Sequence, residues 1–173
     1  MGVRDDLLAA ARAELDEHGH AGISLRAVAR RAGVSHAAPK HHFPDRAALL
    51  TAIATDGFTA LAASLNRLPD PTLAALGQGY LAFGLANPAL YDLMFRPTEL
   101  HADDPHLLAA QDASLHRLRA VADDQSLTLI SWALVHGLVL LTRDGALGGP
   151  AGTASRPELA HGLLETYAER ITS

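Results

Sequence analysis

Between Ser24 and Arg46 the chain gathers groups that meet phosphates and base edges. Arg26, Arg30, Arg31, Lys40 and Arg46 stand there against a single acid, Asp45, with His36, His41 and His42 among them. Guanidinium and ammonium groups neutralise phosphates and release counterions. Imidazoles and hydroxyls, here those of Ser24 and Ser35, donate to phosphate oxygens or to base edges. The rest of the chain has the opposite sign: residues 51–173 carry 7 bases against 13 acids. A basic patch on an acidic body is the charge pattern of a nucleic-acid-reading module joined to a domain with another task. A solvated basic surface would have the same composition, so the spacing of the elements has to decide.

Other chemistry is sparse. There is no Cys, which excludes disulfides, thiolate metal sites and thiol nucleophiles. Residues 72–173 contain no nucleophile elbow, phosphate loop or His-Glu-x-x-His pattern. His101, Asp103, Asp104 and His106 are metal-ligating types, but in an acidic stretch beside Pro105 they read as a solvated loop. A small hydrolase would have to use His136 or that loop, and neither has an activated nucleophile or a paired carboxylate. No enzymatic activity, metal or cofactor is expected.

The elements that must position the basic groups are helices. Ala and Leu number 34 and 30, while Val and Ile together number 10, which points to an all-α fold. Val3, Leu7, Ala11 and Leu15 predict a helix over 3–18, stopped by His18-Gly19-His20. Ser24 caps a second helix that ends at Gly33. Ser35 caps a third, running to about His42, and Asp45 a fourth, to about Asn66. Leu68-Pro69-Asp70-Pro71-Thr72 is the clearest hinge. Helices are then predicted over 72–86, 89–95, 106–121, 126–143 and 158–171. A Gly/Pro-rich loop, Asp144 to Pro157, precedes the last. The longest apolar run, Leu127–Leu141, is shorter than the ~20 residues of a membrane span. Acids near the N-terminus argue against a signal peptide. A cytoplasmic chain with no membrane partner is expected.

Three short helices with Gly33-Val34-Ser35 between the second and third have the layout of a helix-turn-helix. The run Ile23-Ser24-Leu25-Arg26-Ala27-Val28-Ala29-Arg30-Arg31-Ala32-Gly33-Val34-Ser35, followed by His42-Phe43-Pro44-Asp45-Arg46, resembles the DNA-binding domain of TetR/AcrR-type transcriptional regulators over residues 3–53. Pro39 stands where that family usually has Leu, and Lys40 where it has Tyr. The resemblance implies that the 35–42 helix enters the major groove. Ser24, Arg26, Ser35, Lys40, His42 and Arg46 would then hold the backbone, and His36, Ala37 and His41 face base edges. Local packing or capping is the plain alternative for His41 and His42. Trp132, His136 and Gly137, with Asn87-Pro88-Ala89-Leu90-Tyr91-Asp92-Leu93-Met94-Phe95, also resemble a C-terminal domain subtype named for a Trp-His-Gly signature.

The division implied is 1–50 for the DNA-binding head, joined through helix 45–66 to a helical ligand-binding and dimerisation domain, 51–173. The 127–141 segment is apolar nearly all round, so burial on every side and a partner subunit are expected. The resemblance places the dimer interface on the last two helices, with Leu134, Gly137, Leu138, Leu141, Leu159, Leu163, Leu164 and Tyr167 as candidates. It places an effector pocket among Tyr80, Phe83, Tyr91, Met94, Phe95, Trp132 and His136, for which core packing is the alternative. The function implied is a dimeric repressor on a palindromic operator of double-stranded DNA, released by a small apolar effector. The rival is a helical protein-interaction module with an incidental basic head.

Overall fold

The computed structural model describes residues 2–69, 71–148 and 156–172. Met1, Asp70, Ser173 and residues 149–155, half of the Gly/Pro-rich loop, lie outside the described residues. Those described form helices and turns with no strand. The helices are α1 (Val3–Gly22), α2 (Leu25–Arg31), α3 (Ala38–His42), α4 (Arg46–Asn66), α5 (Leu73–Ala86), α6 (Pro88–Met94), α7 (Pro105–Ala122), α8 (Gln125–Arg143) and α9 (Arg156–Thr172). Single 3-10 turns occupy Pro97–Glu99 and Ala146–Gly148.

Short polar side chains start these helices by accepting from otherwise orphaned N–H groups. Ser24 Oγ accepts from Ala27 at 3.1 Å and Asp45 Oδ1 from Ala48 at 2.7 Å. Thr72 Oγ1 accepts from Ala75 at 3.1 Å, and Asp124 Oδ2 from Leu127 at 2.7 Å. One predicted end holds and another moves. Regular helical geometry breaks at Gly19, which takes φ 66° and ψ 173°, as the 3–18 prediction has it, and a separate last turn follows beyond this kink to Gly22. The third helix does not start at Ser35. Residues 35–37 form a turn, Ala37 is the N-cap without a side-chain bond, and Pro39 lies in the first turn of a five-residue helix.

The residues cluster into two compact units, each discontinuous in sequence: 1–60 with 89–112, and 61–88 with 113–173. α4 and α7 each run from one unit into the other. In the first unit, Leu7, Leu15, Val28, Leu49, Leu50 and Leu93 form the core. Phe58 meets Phe95 edge-on at 5.4 Å, and Tyr91 lies 4.9 Å from Phe95. In the second, α5 packs on α8 and α9 through Leu76, Leu81, Leu138, Val139 and Leu164.

Within one chain α8 is buried along a single face, Thr128, Ser131, Val135, Leu138, Val139 and Thr142. The opposite face is the more apolar one: Leu129, Ile130 and Leu141 are 50%, 55% and 44% exposed. α4 and α8 are both long and apolar enough to cross a membrane by length and composition alone. Most of α4 faces the protein interior.

Candidate nucleic-acid interface and effector cavity

The head is built by α1, α2 and α3. Its turn needs Gly33, which takes φ 68°, a left-handed conformation that costs a side-chain-bearing residue about 1–2 kcal/mol. The Gly33 and Val34 amides bond to Arg30 O and Ala29 O, which closes α2 and redirects the chain. Pro39 is buried, so α3 is anchored by the ring at its base. Around this frame Ser24, Arg26, Ser35, His36, Ala37, Lys40, His41 and His42 are all exposed. Ser24 Oγ accepts the Ala27 amide and keeps its own hydrogen for an outside acceptor. Arg26, Arg30 and Lys40 have no ion-pair partner among the described residues. Arg30 joins the site only through the structure, although it follows Arg26 by one helical turn in the sequence.

Two of the five bases are withdrawn from this surface. Arg31 Nε donates to the buried Glu14 at 2.7 Å, and its terminal nitrogens hold Glu17 of α1. The Glu17 and Glu14 hydrogen bonds raise the Arg31 guanidinium further, and Arg31 pulls Glu17 below the usual carboxylate range. Arg46, expected at a phosphate, has a partly exposed guanidinium that is also held within the chain. Its Nε donates to Ile23 O at 3.1 Å, one terminal nitrogen to His20 O at 2.6 Å, and the other to Glu99 Oε2 at 3.0 Å. The second Glu99 oxygen is 2.7 Å from His20 Nδ1. Burial would raise the Glu99 carboxyl, but the Arg46 hydrogen bond and the His20 and Arg46 charges hold it lower than usual. The Arg46–Glu99–His20 cluster ties the kinked end of α1 to the start of α4 and to the 97–99 turn. Arg46 lies 26 residues from His20 and 53 from Glu99, so no local pattern announces the cluster.

The 101–106 loop also has structural work. His101 N donates to Thr51 Oγ1 at 2.9 Å, and its Nε2 lies 3.2 Å from Asp45 Oδ1. The Ala48 amide is the first cause holding Asp45 low, with His101 adding to it. Asp104 Oδ1 accepts from the His106 and Leu107 amides at the start of α7. Among the described residues no three His, Asp or Glu side chains converge as a metal site.

The residues expected to line one effector pocket divide between the units. Tyr91, Met94 and Phe95 pack in the first, where Tyr91 and Met94 are fully buried core. Tyr80, Trp132 and His136 meet in the second. Trp132 Nε1 donates to Tyr80 Oη at 3.3 Å, and Tyr80 Oη lies 3.2 Å from His136 Nδ1. An indole can only donate, so the phenol oxygen accepts from it, and the phenol also shares a hydrogen bond with Nδ1 of His136. Burial pushes His136 below the usual imidazole range, which favours its neutral form. Phe83 is half-buried and does not line the cavity beside them.

That cavity holds about 30 Å³ and is enclosed by Leu73, Leu76, Leu115 and Val135, with Tyr80 and Trp132 on one side. Ser131 and Tyr167 face it as a hydroxyl pair 2.9 Å apart. Tyr167 and Leu164, expected at a dimer interface, line this cavity, and Leu164 and Leu138 are buried within the chain's own core. Leu134, Gly137, Leu141, Leu159 and Leu163 remain at least partly exposed.

Comparison with known proteins matches this architecture. The family model described as bacterial regulatory proteins, tetR family, matches residues 7–53. The model described as tetracyclin repressor-like, C-terminal domain, matches residues 73–167. HTH-type transcriptional regulator Rv1816 of Mycobacterium tuberculosis is 33% identical over 92 residues, which are 49% of this chain and 39% of that protein. The match thus spans well under half the length of that curated relative. A solved structure of a Rhodococcus sp. RHA1 protein with unknown function superposes with TM-score 0.83 at 32% identity, covering 98% of this chain and 95% of that one. The TetR family transcriptional regulator PfmR of Thermus thermophilus shares the fold, with TM-score 0.66, 20% identity and 94% and 97% coverage. The family matches fall on the helix-turn-helix at one end and on the α5–α9 body at the other, and the chain belongs to the TetR family of bacterial transcriptional regulators, which are not enzymes.

Proposed function

We propose that the chain is a dimeric, effector-responsive repressor that binds a palindromic operator through the 35–42 segment. The observation that carries this reading is the sorting of charge in the head. Arg31 and Arg46 are tied into the fold, while Arg26, Arg30 and Lys40 stay exposed beside Ser24, Ser35, His36, Ala37, His41 and His42. Phosphate contacts from those cations set affinity and register, and His36, Ala37 and His41 read bases. Functionally, 1–50 is the reading head and 51–173 the effector and dimerisation body. The body is of the Trp-His-Gly signature subtype, a reading supported by Trp132 and His136 sharing the Tyr80 hydroxyl. Action on DNA places the protein in the cytoplasm.

The dimer forms through α8 and α9. Ile130, Leu134, Gly137 and Leu141 make one stripe on the exposed face of α8, and Leu163 lies open on α9. Burying such side chains contributes about 1.5–3 kcal/mol each. A Cβ added at Gly137 or Gly162 meets nothing within 4 Å, so a partner backbone has room to approach both helices. Effector binding in the α5–α9 body shifts the population away from the DNA-competent form, by as much as its affinities for the two forms differ.

Selection of bound fragments from source-genome DNA, followed by affinity measurement at two salt concentrations, tests the reading. One recovered palindrome, two protomers per site and a steep salt dependence are expected. Binding that is blind to sequence and insensitive to salt would retire it in favour of the interaction module.

A further inference from the structure

We infer that the α5–α9 cavity takes an uncharged, largely apolar molecule with one hydrogen-bonding group, seated against the Ser131–Tyr167 hydroxyl pair under α9. The inference rests on the effector-responsive reading and names the chemistry of its ligand. The residues lining the cavity include no Asp, Glu, Lys, Arg or His. A charged ligand would be stripped of water there with no countercharge, which costs far more than an apolar contact returns. An uncharged one meets a leucine-rich wall and two kinds of hydroxyl.

The hydroxyls differ in what they have left to offer. Tyr80 Oη already accepts from Trp132 and is hydrogen-bonded to His136. Ser131 and Tyr167 share one hydrogen bond at 2.9 Å, which uses only one of their two protons. One hydroxyl hydrogen and free lone pairs remain on that pair, enough to meet an alcohol, ketone or amide. Ser131 is 7% exposed, so this polar group is internal and not a surface accident.

The cavity as it stands has room for about one water. Its yielding wall is the α5–α9 contact. Gly77 has no side chain, and Leu164 fills that gap; a Cβ at Gly77 would come within 2.9 Å of Leu164 Cδ2. Displacement of Leu164 is therefore the step that makes room for a ligand. Because Leu163 is the next residue on the same helix, occupancy of the cavity pushes on the helix that also carries exposed apolar surface.

Trp132 is the sole Trp of the chain, so its emission reports this cavity alone. The test titrates the full-length protein with cyclohexanol, cyclohexanecarboxylate, cyclohexylammonium and methylcyclohexane. A saturable change in Trp132 emission is expected with cyclohexanol, at concentrations at least ~10-fold lower than either ion requires. The Ser131→Ala/Tyr167→Phe variant should weaken cyclohexanol roughly 3- to 10-fold and leave methylcyclohexane unchanged. Equal or tighter binding of either ion overturns the inference, as does the lack of any saturable response to cyclohexanol. The wild-type charge series decides the matter even if the double variant does not fold. Operator binding by the same preparation separates the two failures. Protein that binds DNA but ignores cyclohexanol overturns the ligand class alone. Protein that takes cyclohexanol but binds no DNA upholds the site and overturns the regulator.

Discussion

At the scale of single residues, a cation's partners decide its task. Lys40 and Arg26 are exposed and carry no internal ion pair among the described residues, so in the proposed operator complex each would meet a phosphate. Lys40→Ala should weaken operator binding and lower the salt slope by about 1. Arg46 has three internal acceptors, so Arg46→Ala should destabilise the fold by about 2–3 kcal/mol. Its loss of DNA affinity should leave the salt slope unchanged. Titration of both variants with salt checks the contrast, and a reduced slope for Arg46→Ala would return that residue to the interface. His136 supplies a pH effect with a definite sign. Burial lowers its folded pKa below the ordinary value of 6.5, so the unfolded chain binds the proton first as pH falls. The stability from neutral His136 is complete above pH 6.5 and is lost as pH falls through the lower folded pKa. Urea midpoints should therefore decline below pH 6.5, and His136→Phe should flatten that part of the profile.

At the scale of elements, the reading turn depends on one backbone angle. Gly33 has φ 68°, and an added Cβ would meet nothing within 4 Å. The whole cost of Gly33→Ala is therefore conformational, about 1–2 kcal/mol. Gly33→Asn should cost less, because Asn tolerates this region. Urea denaturation of the two variants gives the comparison, and equal losses would mean that packing is involved after all. The Gly-Val-Ser turn and the caps at Ser24 and Asp45 are legible in the sequence because each is a local device within four residues. The start of α3 is not, because Ser35 is a capping residue type while the chain uses 35–37 as a turn ahead of the buried Pro39. Nor is the extra turn beyond the break at Gly19, where His20 is held from outside by Arg46. The Ser131–Tyr167 pair joins residues 36 apart, and nothing in the pattern of α8 or α9 links them. Tertiary partners decide each of these features, and they leave no periodicity to read.

At the scale of the whole molecule, α8 gives half of its buried face to hydroxyl-bearing residues and leaves large aliphatic side chains uncovered. Thr128, Ser131 and Thr142 are buried within the chain, whereas Leu129, Ile130 and Leu141 face outward. A monomer would gain from the reverse arrangement, so the uncovered stripe makes sense as one half of a twofold contact. Ile130→Glu puts a charge on that stripe, at its most exposed side chain, without touching the chain's own core. Sedimentation should show the wild-type dimer converted to a monomer, with helical circular dichroism retained. A monomer engages one half-site at a time and loses the intramolecular second contact, so operator affinity should fall about 10²- to 10⁴-fold. Leu108→Glu serves as the control, since Leu108 is 49% exposed on α7 and lies outside the stripe. If Ile130→Glu stays dimeric, or if Leu108→Glu breaks the dimer equally, the pairing surface is not α8 and α9. The two variants carry the same charge change, so a difference between them cannot come from net charge acting on the DNA.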